Sequence, residues 1–341
     1  MIARFTNRLI KSFDALMILV ILLLSVYIYL IIIYYDALFE YKAIKNHIGT
    51  AFKKIDQITL VNYAGGGLVQ YSNRELQNQS AHDYGIDRIF TYSPQDLDHK
   101  FYMDNKFILE KKRGAGYWLW KPYIILDAMR RLPEGEIILY LDGDYHIKND
   151  LSLLVELTKK YNRVLVYNGM SAEGKIKLHT SHAKNYHFVK RDAYVLMDCD
   201  REECYNALHL CASVVLLVNN QKNREFIQQW LKYSRDPRIV TEQPNVIFKE
   251  DVKKFLIHLH EQAILSLLYL RYTSEEQLVI TKDDILYFLS HDENKRYWGS
   301  WLYQYDYHKE YGKKIAERIF DTKELNMLKN NKISHNLEKL G

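Results

Sequence analysis

Beyond residue 57 the chain alternates short, unbroken apolar runs with longer stretches in which apolar residues recur every three or four positions. The runs at 58–62, 88–92, 136–142, 163–167 and 213–218 predict strands, several of them apolar on both faces and therefore central to a sheet. Helical spacing at 121–132, 151–160, 223–233 and 252–271 predicts helices, and Pro122 suits the first turn of one of them. Strands alternating with helices imply an α/β sandwich around a mostly parallel central sheet, whose ligands gather at the carboxyl ends of the strands. No repeat architecture and no low-complexity tract interrupts the pattern.

The N-terminal segment follows a different rule. Residues 15–35 carry no ionisable side chain other than tyrosines, and as a helix they would span roughly 30 Å, one bilayer crossing. The run is too long for the apolar core of a cleaved signal peptide, and it ends in Tyr34-Tyr35-Asp36 rather than at a small-residue cleavage site. Arg4, Arg8 and Lys11 precede it while Lys42, Lys45, Lys53 and Lys54 follow, so charge alone does not orient it. The expected order is an N-terminal tail (1–14), a transmembrane anchor (15–35), a stem (36–56), a catalytic domain (57–310) and a C-terminal helical tail (311–341).

With 48% hydrophobic and 26% charged residues among 341, the chain has the make-up of folded protein, which excludes disorder and fibrous repeats. Its formal charge of +5 is spread over 47 basic and 42 acidic side chains without a dense basic stripe, so nucleic acid is not an expected partner. Cys199, Cys204 and Cys211 are odd in number and have no second Cys or His pair to complete a zinc site. At most one disulfide can form, and buried or idle thiols are expected.

The strongest chemical signal is the apolar run 137–141 ending in Asp142-Gly143-Asp144. In an extended chain residues i and i+2 face the same side, and the glycine between them admits a ligand close to the backbone. Two such carboxylates can share a hard divalent cation whose open positions accept phosphate oxygens. Asp-Gly-Asp is also ordinary turn sequence, and it is the position at the end of a buried strand that favours chemistry. His260-Glu261 lacks the second histidine of a zinc-protease helix, since Ile264 stands four residues on, and Gly65-Gly66-Gly67 lacks the remainder of a phosphate loop.

The run Arg113-Gly114-Ala115-Gly116-Tyr117-Trp118-Leu119-Trp120-Lys121-Pro122, followed about twenty residues later by Asp142-Gly143-Asp144, resembles a group of nucleotide-sugar-dependent glycosyltransferases with the A-type fold. Lys190-Arg191-Asp192 and the run from Leu259 to Leu268 look like later blocks of the same group, with Glu261-Gln262 where such sequences commonly read Asp-Gln. The resemblance covers roughly residues 58–291. It implies an A-type sandwich in which Asn62, Tyr63 and Ala64 contact the donor nucleotide. Asp142 and Asp144 would hold manganese or magnesium, with His291 as a third ligand. Arg113 and Lys121 would offset phosphate charge, Tyr117 and Trp120 would offer flat faces to base or sugar, and Gln262 would line the donor site. Core packing is the other reading of Trp118 and Trp120. Glu261 or Asp192 would be the catalytic base if configuration inverts; if it is retained, the donor phosphate serves. By its aromatic density alone, the stretch 297–307 reads equally as a sugar-stacking wall or lid, as interior packing or as a face turned to the bilayer.

The function expected is therefore transfer of a sugar from a nucleotide-diphosphate donor, UDP-linked by preference, to a hydroxyl on a glycan, lipid or protein. The enzyme would be single-pass and type II, in the Golgi or endoplasmic reticulum of a eukaryote or the inner membrane of a bacterium. The competing expectations are an aspartyl-phosphate phosphohydrolase, which places its Asp-x-Asp nearer the start of the domain, and a non-catalytic glycan-binding protein on a degenerate transferase fold.

Overall fold

The computed structural model describes residues 57–65, 68–168 and 183–291, with Leu24 alone outside them. The anchor, the stem, the aromatic stretch 297–307 and the C-terminal tail lie outside the described residues. Among the described residues no helix is long and apolar enough to cross a membrane.

Six strands form one sheet: β1 (Ile58–Tyr63), β2 (Arg88–Tyr92), β3 (Ile137–Leu141), β5 (Arg163–Tyr167), β6 (Leu210–Val218) and β7 (Leu278–Ile280), in the order β2-β1-β3-β6-β5-β7. Three of the five pairings are parallel, and β6 runs antiparallel to both its neighbours. The sheet is thus mostly parallel, as expected, with parallel pairs at β2-β1-β3 and at β5-β7 on either side of the antiparallel β6. A separate ribbon pairs β4 (Tyr145–Ile147) with β8 (Leu289–His291).

Helices cover both faces: α1 (Leu68–Asp83), α2 (Trp120–Arg131), α3 (Ser152–Tyr161), α4 (Arg191–Leu196), α5 (Gln221–Ser234), α6 (His260–Leu268) and α7 (Lys282–Phe288). The period-2 alternation of β3 divides the core. Ile138 and Tyr140 pack with α2, α5 and α6, whereas Ile137, Leu139 and Leu141 pack with α3 and α7. Asp142 continues the register of Ile138 and Tyr140, so its side chain emerges on the α2/α6 side.

Several features depart from expectation, among them the short elements α4, α7, β4, β7 and β8. The apolar stretch 252–271 is helical only from His260, because Lys254 and His260 sit at φ 79° and 48°. The amides of Leu256, Ile257 and Leu259 turn instead to the carbonyls of His187 and Phe188. Helix α1 was not expected, since its sequence LVQYSNRELQNQSAHD is mostly polar. The idle-thiol expectation fails for two of the three cysteines: Cys199 and Cys204 form a disulfide, and Cys211 remains a buried thiol.

Helix α2 carries the lysine that matters below, and its far end is closed by a residue ninety positions away. The fully buried Asn219 amide donates to the carbonyls of Met129, Leu132 and Pro133 at 2.9, 2.9 and 2.8 Å, while its oxygen accepts from Arg224 at 2.8 Å. These are carbonyls that a helix end leaves without partners. Asn219→Ala is expected to destabilise the domain by about 3 kcal/mol, since several buried acceptors lose their donor at once. Denaturant unfolding should show a lower midpoint at unchanged slope; a loss below about 0.5 kcal/mol would contradict the capping role.

Candidate active site

The site is built around a buried ammonium. Lys121, in the first turn of α2 and 1% exposed, donates to Glu261 Oε1 at 2.8 Å and to the Ala212 carbonyl at 3.2 Å, and it lies 3.2 Å from Asp142 Oδ1. The same Asp142 oxygen accepts from the Tyr140 hydroxyl at 2.5 Å. Burial by itself would depress the lysine pKa, but Asp142 and Glu261 outweigh it and hold the group above its ordinary range. Burial raises the Glu261 carboxyl above the usual range, an effect that Lys121 offsets in part. Tyr140 is raised by burial and then by Asp142, and stays a phenol.

Loop geometry fixes the carboxylates at the sheet's rim. The Asp142 amide bonds to the Ser213 carbonyl on β6, and the Tyr145 amide closes back on the Asp142 carbonyl. Gln77 of α1 donates to the carbonyls of Asp142 and Tyr145, both at 2.7 Å, and accepts from Asn62 at 2.8 Å. Asp142, Gly143 and Asp144 are all half-buried, and a methyl placed on Gly143 would meet nothing nearer than the Tyr63 carbonyl at 3.9 Å. The register of β4 against β8 sets His291 opposite Tyr145, one residue from Asp144; its side chain lies outside the described residues.

The Gly-Ala-Gly-Tyr-Trp run is a left-handed turn. Gly114, Ala115, Gly116, Tyr117 and Trp118 have φ of 57°, 49°, 100°, 52° and 57° in succession. For the three residues with a Cβ this costs about 1–2 kcal/mol each. The glycines are required by contact as well as by φ: a Cβ on Gly116 would lie 2.6 Å from the Leu109 Cα, and one on Gly114 2.3 Å from the Trp118 ring. Hydrogen bonds from Gly116 to Lys111 and from Tyr117 to Arg113 hold the turn, as does Trp120 Nε1 donating to the Gly114 carbonyl at 3.0 Å.

This turn meets α6 at His260, itself left-handed. Nδ1 of His260 donates to the Val240 carbonyl at 2.8 Å, and Nε2 accepts from Arg113 Nε at 2.7 Å, so both ring nitrogens are committed and the imidazole is neutral. Burial, the first cause, and Arg113 bring its pKa down to about 4. Arg113 keeps a partly exposed guanidinium, 3.8 Å from Glu242.

Several residues expected at the donor lie elsewhere. Trp120 is core: it stacks on Tyr63 at 3.8 Å with an angle of 13° between the planes. Tyr117 packs on His260, and its hydroxyl donates to Glu242 at 3.3 Å. Asn62 is sealed beneath the rim, bonded to Gln77 and Asn78, and the Ala64 amide is taken by Tyr92. Gln262 is half-buried and accepts from the Ala212 amide at 3.3 Å. Asp192 is fully buried and accepts the amides of Val246 and Ile247 at 2.7 and 3.2 Å, the position of a loop anchor and not of an acid or base. Glu261 is 4% exposed, and its Oε1 is held by Lys121 at 2.8 Å. Gln77, Tyr140 and His260 escaped the sequence reading, although Tyr140 stood two residues before Asp142 on the same strand face.

No family model and no curated protein matches the chain. Solved structures do overlay on it. Mouse xyloside xylosyltransferase 1 superposes with a TM-score of 0.38 at 11% identity, covering 65% of this chain and 84% of that one. The galactosyltransferase LgtC in complex with donor and acceptor sugar analogs gives 0.33 at 14%, covering 62% and 70%. The glycosyltransferase GlyE of Streptococcus pneumoniae gives 0.32 at 16%, covering 68% and 46%. Scores and identities this low leave the chemistry of this chain to be read from its own side chains.

Removing the ammonium alone should be worse than removing it together with Glu261. Lys121→Met leaves the buried Glu261 and the half-buried Asp142 without their cation and is expected to cost about 3–5 kcal/mol, more than half of it recovered in Lys121→Met/Glu261→Met. Additive losses in urea unfolding would show that the two do not interact. Acid should act through the histidines. The pKa of His209 is brought down to about 3, that of His260 to about 4 and that of His258 well below its ordinary value, in each case mainly by burial. The stabilisation is complete above the unfolded value near 6.5 and is lost as pH falls, because the unfolded imidazoles take up protons first. Between pH 6.5 and 5 stability should drop with a limiting slope of about 4 kcal/mol per pH unit for three such groups; a flat profile there would mean that they are protonated in the fold.

Proposed function

We propose that the chain is a divalent-metal-dependent glycosyltransferase that moves a sugar from a nucleotide-diphosphate donor to a hydroxyl acceptor. The observation that carries this reading is the half-buried Asp142-Gly143-Asp144 turn at the carboxyl end of a central strand, backed by a fully buried ammonium. Hard carboxylate oxygens suit manganese or magnesium, and a glycine between them lets a ligand approach the backbone. Among the described residues no group of three or more His, Cys, Asp or Glu side chains could hold a metal ion, so Asp144 and Asp142 form a partial set. The phosphates, and His291 from the adjoining strand, would complete it. When bound, the cation supplies neutralisation of charge on the departing diphosphate.

The chain's own groups do the rest. Asp144 would be the more direct ligand, while Asp142 is oriented by Lys121 and Tyr140, so that its carboxylate does not swing when a ligand arrives. Glu261 positions Lys121 and is not the proton acceptor, a role that leaves the donor phosphate or the acceptor's surroundings to take the hydroxyl proton. Arg113, held at Nε by the neutral His260, turns the rest of its guanidinium outward to phosphate. The apolar run 15–35 anchors the enzyme in a membrane in type II orientation.

Titration calorimetry with UDP and manganese tests the reading. Binding should require the metal and weaken at least about 10-fold in Asp144→Asn, equivalent to about 1.4 kcal/mol. Glu261→Gln should reduce slow donor hydrolysis and transfer by the same factor, because a residue acting through Lys121 affects both. Loss of transfer alone would restore Glu261 as the base. Metal-independent or absent nucleotide binding, with phosphomonoester hydrolysis that depends on Asp142, would replace the transferase with a phosphohydrolase.

A further inference from the structure

The connection between β6 and α6 spends its last stretch on a loop that exposes apolar side chains while being firmly held at its base. Six large hydrophobic residues are exposed among the described residues, and Val246, Phe248 and Leu256 are three of them, at 49%, 100% and 46%. A phenylalanine that is fully exposed touches nothing on this chain, and Phe248 is presented at φ 57°, where a bulky residue persists only if its surroundings hold it.

They do hold it. Asp192 accepts the amides of Val246 and Ile247, and Asn245 accepts the Asp192 amide at 3.0 Å and donates to Asp251 at 2.8 Å. Asp251 also accepts the Arg191 amide at 2.7 Å, and Leu256 and Ile257 are tied to the His187 carbonyl. Lys249, Lys253 and Lys254 alternate with the apolar residues along the loop and are exposed. Lys249 reaches Asp200 at 3.0 Å, and Lys254 lies 5.6 Å from the Tyr186 ring centroid. Of the acids in the loop, Asp251 is turned inward by its two donors and Glu250 alone faces out.

We infer that residues 245–256 form a docking loop for an anionic lipid bilayer, with Phe248, Val246 and Leu256 entering the interface and Lys253 and Lys254 meeting lipid phosphates. Two things select this occupant. Protruding apolar side chains interspersed with lysine match a surface that is apolar just below a layer of negative charge. The chain also carries its own apolar run at 15–35, the membrane anchor of the proposed function, only residues 36–56 ahead of β1, so that reading would keep the domain at a bilayer. The inference holds whatever reaction the Asp142 site performs.

The test uses the full chain reconstituted in vesicles, with an environment-sensitive fluorophore on Phe248→Cys. Cys211 is buried and Cys199–Cys204 is bonded, so the label has one reactive thiol. In vesicles with about 30% phosphatidylglycerol the emission should shift to the blue and be quenched by brominated lipid, and in neutral phosphatidylcholine it should not. Lys253→Glu/Lys254→Glu should remove most of the shift, while a label on Met103→Cys, exposed elsewhere, should stay in water throughout. Emission identical in anionic vesicles, neutral vesicles and detergent would overturn the inference. So would a shift seen in detergent that grows with protein concentration, since that outcome marks contact between copies of the chain.

Discussion

One ammonium with no solvent around it organises the rim of this sheet. Lys121 joins Asp142 just beyond β3, Glu261 on α6 and a β6 carbonyl. A buried cation is tolerable only where its partners are fixed, so the lysine demands order of everything it touches. Both carboxylates lean on this one ammonium, directly behind the turn that would receive a cation and a diphosphate. Structure and electrostatics are therefore coupled there: whatever secures the helices also sets the field at Asp144.

The left-handed turn at 114–118 shows what a motif can encode besides chemistry. Its glycines are dictated by φ and by the nearness of the Leu109 backbone and the Trp118 ring, and its aromatics by packing on Tyr63 and His260. The strain of a non-glycine residue in this region is repaid by delivering Lys121 to the start of α2 and Arg113 to the face of His260. A sequence signature rich in tryptophan and tyrosine thus belongs to the scaffold, and its basic residues belong to the site.

Much of the frame was legible from residue pattern. The strands at 58–62, 88–92 and 163–167 needed no correction beyond one residue, because unbroken apolar runs bounded by polar residues have few other uses. Pattern also led to Asp142 and Asp144, since carboxylates after a buried strand are conspicuous. It could not find α1, whose polar residues serve as clamps: Gln77 looks like any surface glutamine until its amide is seen across the turn at 142–145. Nor could it distinguish Asp192 from an active acid, because a carboxylate that binds two backbone amides and one that binds a proton are the same letter. The helix start at His260 was hidden for a related reason, as positive φ at ordinary residues leaves no trace in hydrophobicity.

The Cys199–Cys204 link closes the corner from which Tyr205 and Arg191 grip Asp200, the same carboxylate that restrains Lys249. Reduction of that crosslink would leave the corner to the grip of Tyr205 and Arg191 on Asp200 and to the edge-on contact of Tyr194 with Tyr205. A bond between residues 199 and 204 thus bears on the anchorage of Lys249, nearly fifty residues farther along the chain.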